Sequence, residues 1–190
     1  MNELVQHLVN ALILGGTYAL LGIGLTLIFG IMNVVNFTHG ALYTVGAYVM
    51  YLAVAALGLN FFLALPVAIL GGLLLGAAIE LLLLRPFRGS DIDTTMLVMI
   101  GAGIILQSGT LWTFGGVAKA IPAPFPEAPL QIGPVSVSWL RLFVLGAALT
   151  LIALTYALIN RTRLGLAMRA AFQDSDTAAL MGVDVRRIYT

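Results

Sequence analysis

The 190-residue chain has no cysteine, two histidines and few charged residues. The absence of cysteine excludes disulfides, thiol catalysis, iron–sulfur clusters and zinc sites built from thiolates. Only 9% of the residues are charged and 61% are hydrophobic, whereas soluble domains carry about 25% charged residues. The formal net charge is +1, so the chain has no broad electropositive face for nucleic acid. The composition therefore excludes a nucleic-acid-binding protein and argues against a water-soluble enzyme.

Long apolar runs occupy most of the chain instead. A bilayer core about 30 Å thick requires about 20 mostly apolar residues per helix, because no water there can satisfy the backbone. Five runs meet this requirement: Leu4–Ile31, Gly40–Leu57, Phe61–Leu84, Thr94–Gly115 and Trp139–Asn160. The sequence therefore predicts an all-α, polytopic membrane protein with about five transmembrane helices, organised as a single domain over residues 1–190.

The distribution of basic residues predicts the orientation, because lysine and arginine collect on the cytoplasmic side of a membrane. Arg85 and Arg88 follow the third run, and five arginines lie within residues 161–190, whereas the loop of residues 116–138 carries only Lys119. We therefore expect the amino terminus outside and residues 161–190 in the cytoplasm. The outside loop holds five of the seven prolines and is predicted to be a stiff, irregular segment. It can serve as a plain connector or as a docking surface for a soluble partner.

A polar cluster lies between the first two apolar runs, where each polar side chain costs free energy in lipid. In a continuous helix, Asn36, His39 and Tyr43 would share one face, which could line a translocation path. The alternative is a broken turn, in which the amides of the cluster, including Asn33, satisfy freed backbone groups. Gln107 in the fourth run can join a polar interior or make a hydrogen bond between helices. The residues alone leave both interpretations open.

A short helical stub, residues 174–182, is predicted after the fifth run. Asp174 or Ser175 can cap its start, and Gly182 can end it. A helix of this length is not stable alone. Ala179, Leu180 and Met181 are expected to expose a small apolar surface. They suit insertion into a groove of a cytoplasmic protein, and a helix resting on anionic lipid headgroups fits equally well.

Four stretches, in this order along the whole chain, resemble the LivH-type permease subunits of ATP-binding cassette importers for branched-chain amino acids. The first reads GLTLIFGIMNVVNFTHG at residues 24–40, and the second combines Glu80 with RPFRG at residues 85–89. The third spans residues 100–107 and the fourth residues 165–182. Several ordered motifs in one chain are far more specific than any single motif.

The resemblance implies a non-enzymatic subunit of the bacterial inner membrane that moves branched-chain amino acids inward by alternating access. It implies that the stub is the coupling helix, which docks in a cleft of a cytoplasmic ATPase. The coupling residues are then Asp174, Ser175, Asp176, Thr177, Ala178, Ala179, Leu180, Met181 and Gly182. It also implies a substrate path close to the polar cluster, between two permease subunits. The candidate pathway residues are Asn33, Asn36, His39, Tyr43 and Gln107.

The implied partners are a second permease subunit, identical or different, two cytoplasmic ATPase subunits, a periplasmic substrate-binding protein and membrane lipid. The sequence has no G-x-x-x-x-G-K-[ST] motif and a single lysine, Lys119, so ATP is predicted to bind to another polypeptide. We expect no cofactor, metal or catalytic residue in this chain. Family members continue for several more spans, so we expect the chain to be a fragment or a truncated product.

Other functions remain compatible with the residues. Permeases for urea, short amides or other amino acids have similar sequences. A stand-alone channel or secondary transporter is a further alternative, although an ion-coupled carrier should show buried carboxylates or paired broken helices in two related halves. A purely structural membrane subunit would leave the polar cluster and the apolar stub without a use.

Overall fold

The computed structural model of the chain describes residues 2–32, 34, 36–87, 90–132 and 135–189. Most of these residues are helical, which confirms the predicted all-α class. The helices are α1 Asn2–Met32, α2 His39–Ala55, α3 Phe61–Ile79, α4 Ile92–Phe114, α5 Trp139–Arg161, α6 Arg163–Gln173, α7 Ser175–Leu180 and α8 Val185–Tyr189.

Within the part of the chain that the structure describes, four helical segments are long and apolar enough to cross a membrane. They lie within α1, α4 and α5, and in α3 together with the turns that follow it. The second predicted span, α2, has only 17 residues and is about 26 Å long at 1.5 Å per residue. The five predicted transmembrane helices are therefore four segments of full spanning length and one shorter apolar helix.

Local signals in the sequence set the ends of α2 and α3. The chain leaves α2 through Gly58, whose φ of 64° lies in the left-handed region that favours glycine. Asn60 then caps α3, because its side-chain oxygen accepts a hydrogen bond of 3.1 Å from the backbone N–H of Phe62. At its other end, α3 passes into a π-helical turn, Glu80–Leu84, and a 3₁₀ turn, Arg85–Phe87.

The chain divides into two compact units, of which the first comprises Met1–Leu27 and Ala123–Ile188. Its core contains Ile13 together with Val135 and Val137. The two valines belong to a small antiparallel hairpin, β1 Leu130–Ile132 and β2 Val135–Val137. This hairpin corrects the prediction that the whole of residues 116–138 is irregular. The side chain of Gln6 fastens it, donating to the carbonyl of Ser136 at 3.0 Å and accepting from its N–H at 2.8 Å.

The second unit comprises Ile28–Pro122 and Tyr189–Thr190, and contains α2, α3 and α4. Its core is built from the buried side chains of Ile79, Leu84 and Met99. Glu80, at the start of the π-helical turn, is also buried and only 4% exposed. Gly71 allows close approach of α2 and α3, because a Cβ at this position would lie only 2.9 Å from a methyl group of Val49. This close helix packing through small residues is typical of membrane proteins.

Candidate functional site

A buried turn joins the polar cluster to α2. The side-chain oxygen of Asn36 accepts a hydrogen bond of 3.0 Å from the N–H of Thr38, and the carbonyl of Asn36 accepts one of 3.2 Å from His39. Asn36 is 6% exposed and Thr38 is fully buried. The structure therefore has the broken turn and not a continuous helix through the cluster. In this turn, Asn36 accepts hydrogen bonds from the backbone N–H groups of Thr38 and His39, which have no acceptor within a helix.

Thr38 ties this turn to α4. Its hydroxyl donates to the carbonyl oxygen of Met99 at 3.0 Å and makes no capping bond to α2. Met99 is the eighth residue of α4, about 10 Å along the helix from its first residue at 1.5 Å per residue. Since α4 is of spanning length, the turn lies well inside the depth that α4 covers. Non-helical backbone is tolerated at membrane depth only where protein buries it or where it lines an aqueous cavity.

A groove between α2 and α4 starts beside this turn. It contains a cavity of about 490 Å³, which we call the first cavity. The first cavity is lined by Phe37, Gly40, Ala41, Thr44, Ile100, Gly103, Ile104 and Gln107. None of these lining residues is charged. Such a volume and a mostly apolar wall with a few polar groups are typical of sites for small molecules.

A second cavity of about 320 Å³ lies further along the same two helices. It is lined by Thr44, Tyr48, Gln107, Thr110, Leu111, Gly115, Gly116, Val117 and Ala118. Thr44 and Gln107 line both cavities, so the cavities meet at these two residues. Beyond them, the rings of Tyr48 and Phe114 stack with centroids 4.1 Å apart and planes 16° apart. The α2–α4 groove is thus fixed by the Thr38–Met99 hydrogen bond at one end and by an aromatic stack at the other.

The candidate pathway residues do not all lie in this groove. Gln107 lines both cavities, whereas Asn36, His39 and Tyr43 are not among the described residues that line either one. Tyr43 is 62% exposed. Asn33 lies outside the residues that the structure describes. The transport role of all five residues stays a prediction.

The lining face of α2 is one position away from the predicted face. Gly40, Ala41, Thr44 and Tyr48 of α2 line the groove, at the spacing i, i+1, i+4 and i+8 of a helix face. Sequence reasoning missed Thr44 because the polar cluster was used to choose the face. No local pattern marks this face, because the Thr38–Met99 hydrogen bond that fixes it joins residues 61 positions apart.

The second candidate region is the segment of residues 162–183, which starts with a tight corner between α5 and α6. The Thr162 hydroxyl accepts a hydrogen bond of 3.0 Å from the N–H of Gly165 and donates one to the carbonyl of Leu158. A Cβ on Gly165 would overlap the carbonyl oxygens of Leu158 and Ile159. This position therefore accepts no side chain while the corner keeps its shape.

The helical stub folds as predicted at both ends. Asp174 caps α7, accepting at 3.0 Å from the N–H groups of Asp176 and Thr177 and at 2.6 Å from the Thr177 hydroxyl. The hydrogen bond from the Thr177 hydroxyl is the main reason why the pKa of Asp174 is lowered. At the other end, Gly182 has a φ of 88° and donates to Ala179. The N–H of Val183 donates to the carbonyl of Ala178 at 3.0 Å, which completes a Schellman motif.

The nine residues predicted for coupling are contiguous in α7 and its two caps. Ala178 is buried at 5% exposure, and Ala179 is exposed. Leu180 and Met181 are 87% and 81% exposed. The stub therefore presents two large apolar side chains outward from a short helix that is capped at both ends. Such a surface is suited to a partner groove or to lipid.

Comparison with known proteins gives a consistent result over nearly the whole chain. The family model described as the permease component of the branched-chain amino acid transport system matches residues 7–189. The high-affinity branched-chain amino acid transport system permease protein BraD of Pseudomonas aeruginosa is 29% identical over 196 residues, which cover 97% of this chain and 64% of BraD. The corresponding LivH protein of Escherichia coli K12 is 30% identical over 203 residues, with the same shares covered.

An archaeal protein is similar as well. The probable branched-chain amino acid transport permease protein LivH of Methanocaldococcus jannaschii is 31% identical over 187 residues, which cover 94% of this chain and 58% of that protein. The chain thus spans 64% of the length of the first two relatives. No solved structure matches the chain significantly.

Proposed function

The chain belongs to the family of branched-chain amino acid transport permease components, and from this premise we propose that it is a permease subunit of an ATP-binding cassette importer for branched-chain amino acids. It is a multi-pass inner-membrane protein. The observation that carries the proposal is the similarity to permeases over 97% of the chain. The names of those relatives favour branched-chain amino acids over urea, short amides or other amino acids as substrates.

The chemistry of the α2–α4 groove supports this substrate class. A branched-chain amino acid is zwitterionic with no net charge and has an aliphatic side chain. The residues that line the two cavities include Phe37, Ile100 and Ile104 and no charged side chain. An unpaired charge is costly at membrane depth, so this groove favours substrates without net charge.

The segment of residues 162–183 supports an ATP-driven mechanism. We propose that Leu180 and Met181 insert into a groove of a cytoplasmic ATPase, because both are large, apolar and exposed on a capped helix. The corner at Gly165 then passes the movement of the ATPase to α5. In this arrangement the amino terminus lies outside and residues 161–190 lie in the cytoplasm, as the arginine distribution predicts.

The complete importer in this proposal contains further proteins. A second permease subunit, two cytoplasmic ATPase subunits and a periplasmic substrate-binding protein assemble with the chain. ATP binds to the ATPase subunits and not to the permease. Closure of the ATPase pair changes which side of the permease pair is open, which moves the substrate by alternating access.

Uptake of labelled leucine tests the proposal. The full chain is produced with its partner permease, ATPases and binding protein in cells that lack their own leucine importers. We expect ATP-dependent leucine uptake that valine and isoleucine inhibit and that urea and acetamide leave unchanged. Uptake that persists without the ATPase, or that urea rather than valine inhibits, would contradict the proposal.

A further inference from the structure

The junction between the two cavities of the α2–α4 groove is polar, although most of their walls are apolar. Thr44 and Gln107 are the residues that both cavities share. The other side chains of the first cavity are Phe37, Ala41, Ile100 and Ile104, and two glycines complete its wall. A molecule that moves between the cavities therefore passes Thr44 and Gln107.

Thr44 offers this junction an acceptor rather than a donor. Its hydroxyl donates to the carbonyl oxygen of Gly40 at 3.0 Å, so its single proton is engaged within α2. A hydroxyl oxygen has two further lone pairs. The Thr44 oxygen can therefore accept a hydrogen bond from a group inside the groove.

Gln107 offers both a donor and an acceptor. Among the residues that the structure describes, the Gln107 side-chain amide has no hydrogen-bond partner. It is exposed on α4, sixteen residues into a helix of 23. A polar side chain this far into a membrane-spanning helix is costly unless it faces an aqueous path or a polar partner. Both cavities open beside this amide.

We propose that Thr44 and Gln107 form a filter that recognises the zwitterionic head of the substrate as it passes between the two cavities. The Gln107 N–H groups donate to the substrate carboxylate, and the Gln107 and Thr44 oxygens accept from its ammonium group. The aliphatic side chain of the substrate lies in the first cavity, against Phe37, Ile100 and Ile104. This assignment rests on the proposed function and deepens it by naming the residues that select the substrate.

The filter explains why analogues of leucine that lack one charged group are rejected. 4-Methylpentanoate and 3-methylbutylamine keep the side chain of leucine but lack its ammonium group or its carboxylate. Each leaves part of the filter unpaired and carries a net charge into a groove whose lining residues are uncharged. A site built to hydrogen-bond a substrate group discriminates strongly against analogues without that group.

The test compares two variants with two matched controls in the complete importer, reconstituted in vesicles with its binding protein. Gln107→Met keeps the length of the side chain and removes its amide, and Gln131→Met makes the same change in strand β1, outside both cavities. Thr44→Val removes the hydroxyl. Thr150→Val is its control, because Thr150 also donates to a glycine carbonyl four residues earlier, at 2.7 Å, and lines neither cavity.

We expect Gln107→Met to lower kcat/KM for leucine import by roughly 10- to 100-fold, because hydrogen bonds to charged groups are lost. Thr44→Val should lower it by roughly 3- to 10-fold. Both variants should also reduce the preference for leucine over 4-methylpentanoate as a competitor, whereas a merely structural defect lowers transport without changing that ratio. Binding of the ATPase, basal ATP hydrolysis and both control variants should stay within about twofold of the wild type.

Import and competition ratios equal to the wild type in both variants would overturn the filter and leave the proposed function standing. If Gln107→Met fails to accumulate, Thr44→Val decides, because an unchanged competition ratio in that near-isosteric variant overturns the filter. A wild-type complex that hydrolyses ATP but imports no leucine would overturn the proposed function, and the filter with it.

Discussion

The α2–α4 groove and the segment of residues 162–183 differ in how their polar groups are hydrogen-bonded. In the segment, Thr162, Asp174 and Gly182 satisfy helix ends through partners within five residues in sequence. In the groove, Thr38 is tied to a carbonyl 61 residues away, and the Gln107 amide has no partner among the described residues. This difference fits the proposed roles, because a segment that transmits movement needs a fixed shape, whereas a groove that admits a substrate needs polar groups available to bind it.

The largest effect is expected from breaking the corner of the segment. Gly165→Ala places a Cβ on the carbonyl oxygens of Leu158 and Ile159, so the corner has to open. Overpacking of this kind costs about 1–3 kcal/mol or more. We expect leucine import to be lost and membrane insertion to be retained, as measured by uptake and by membrane fractionation.

Gly146→Ala is the matched control for this prediction. A Cβ there meets no described atom within 4 Å, and Gly146 lies in α5 as well. Import by the Gly146→Ala variant should remain near the wild-type rate. Normal import by Gly165→Ala would show that the corner does not need its shape.

The next effect concerns the exposed apolar surface of α7. Leu180→Asp places a charge where the proposed ATPase groove is apolar, and loss of a hot-spot side chain at an interface costs about 2 kcal/mol or more. We expect the ATPase to be absent after affinity purification of the permease, with the permease itself still in the membrane. Gln173→Asp, an exposed polar position at the end of α6, should leave co-purification unchanged, and equal recovery from both variants would argue for a lipid-facing role of α7.

A moderate loss of stability is expected when the hydrogen bond from Thr38 to Met99 is removed. Thr38→Val removes the buried hydrogen bond to the carbonyl of Met99, which costs about 0.5–1.5 kcal/mol. The midpoint of thermal unfolding in detergent should fall by several degrees. Thr26→Val removes an exposed hydroxyl that bonds to Gly22 within its own helix, and it should change the midpoint little. An equal fall in both variants would mean that the tie between α2 and α4 adds nothing.

The smallest effect is expected from the charge of the cap on α7. Because the folded pKa of Asp174 is lowered from 3.8, its stabilisation of the helix is present above pH 3.8 and disappears only as pH falls through the lower folded pKa. Amide hydrogen exchange at Thr177, corrected for the intrinsic rate, should therefore show constant protection between pH 7 and pH 5. Asp174→Asn, which also caps helices well, should retain most of this protection. Loss of protection above pH 5 would contradict the role of the carboxylate.

The features that could be predicted from the sequence are those that depend on neighbouring residues, and most of the features that were missed depend on distant contacts. The ends of α7 were predicted because capping by Asp174 and Gly182 depends on neighbours in sequence. The membrane spans were predicted because apolar length is a local property, although α2 proved shorter than the others. The face of α2 that lines the groove was missed, since it depends on the bond from Thr38 to Met99, which no local pattern reveals. The hairpin was also missed, although the alternation that buries Val135 and Val137 is visible in the sequence.

The central claim is that the segment of residues 162–183 couples the permease to the ATPase and that the α2–α4 groove selects the substrate. A direct comparison of Leu180→Asp and Gln107→Met in the same reconstituted importer tests this claim. Leucine import and ATPase retention are measured together for each variant. We predict that Leu180→Asp loses both, whereas Gln107→Met keeps the ATPase bound and basally active while leucine import falls. Loss of the ATPase in both variants, or unchanged leucine import in Gln107→Met, would contradict the division of roles between the two regions.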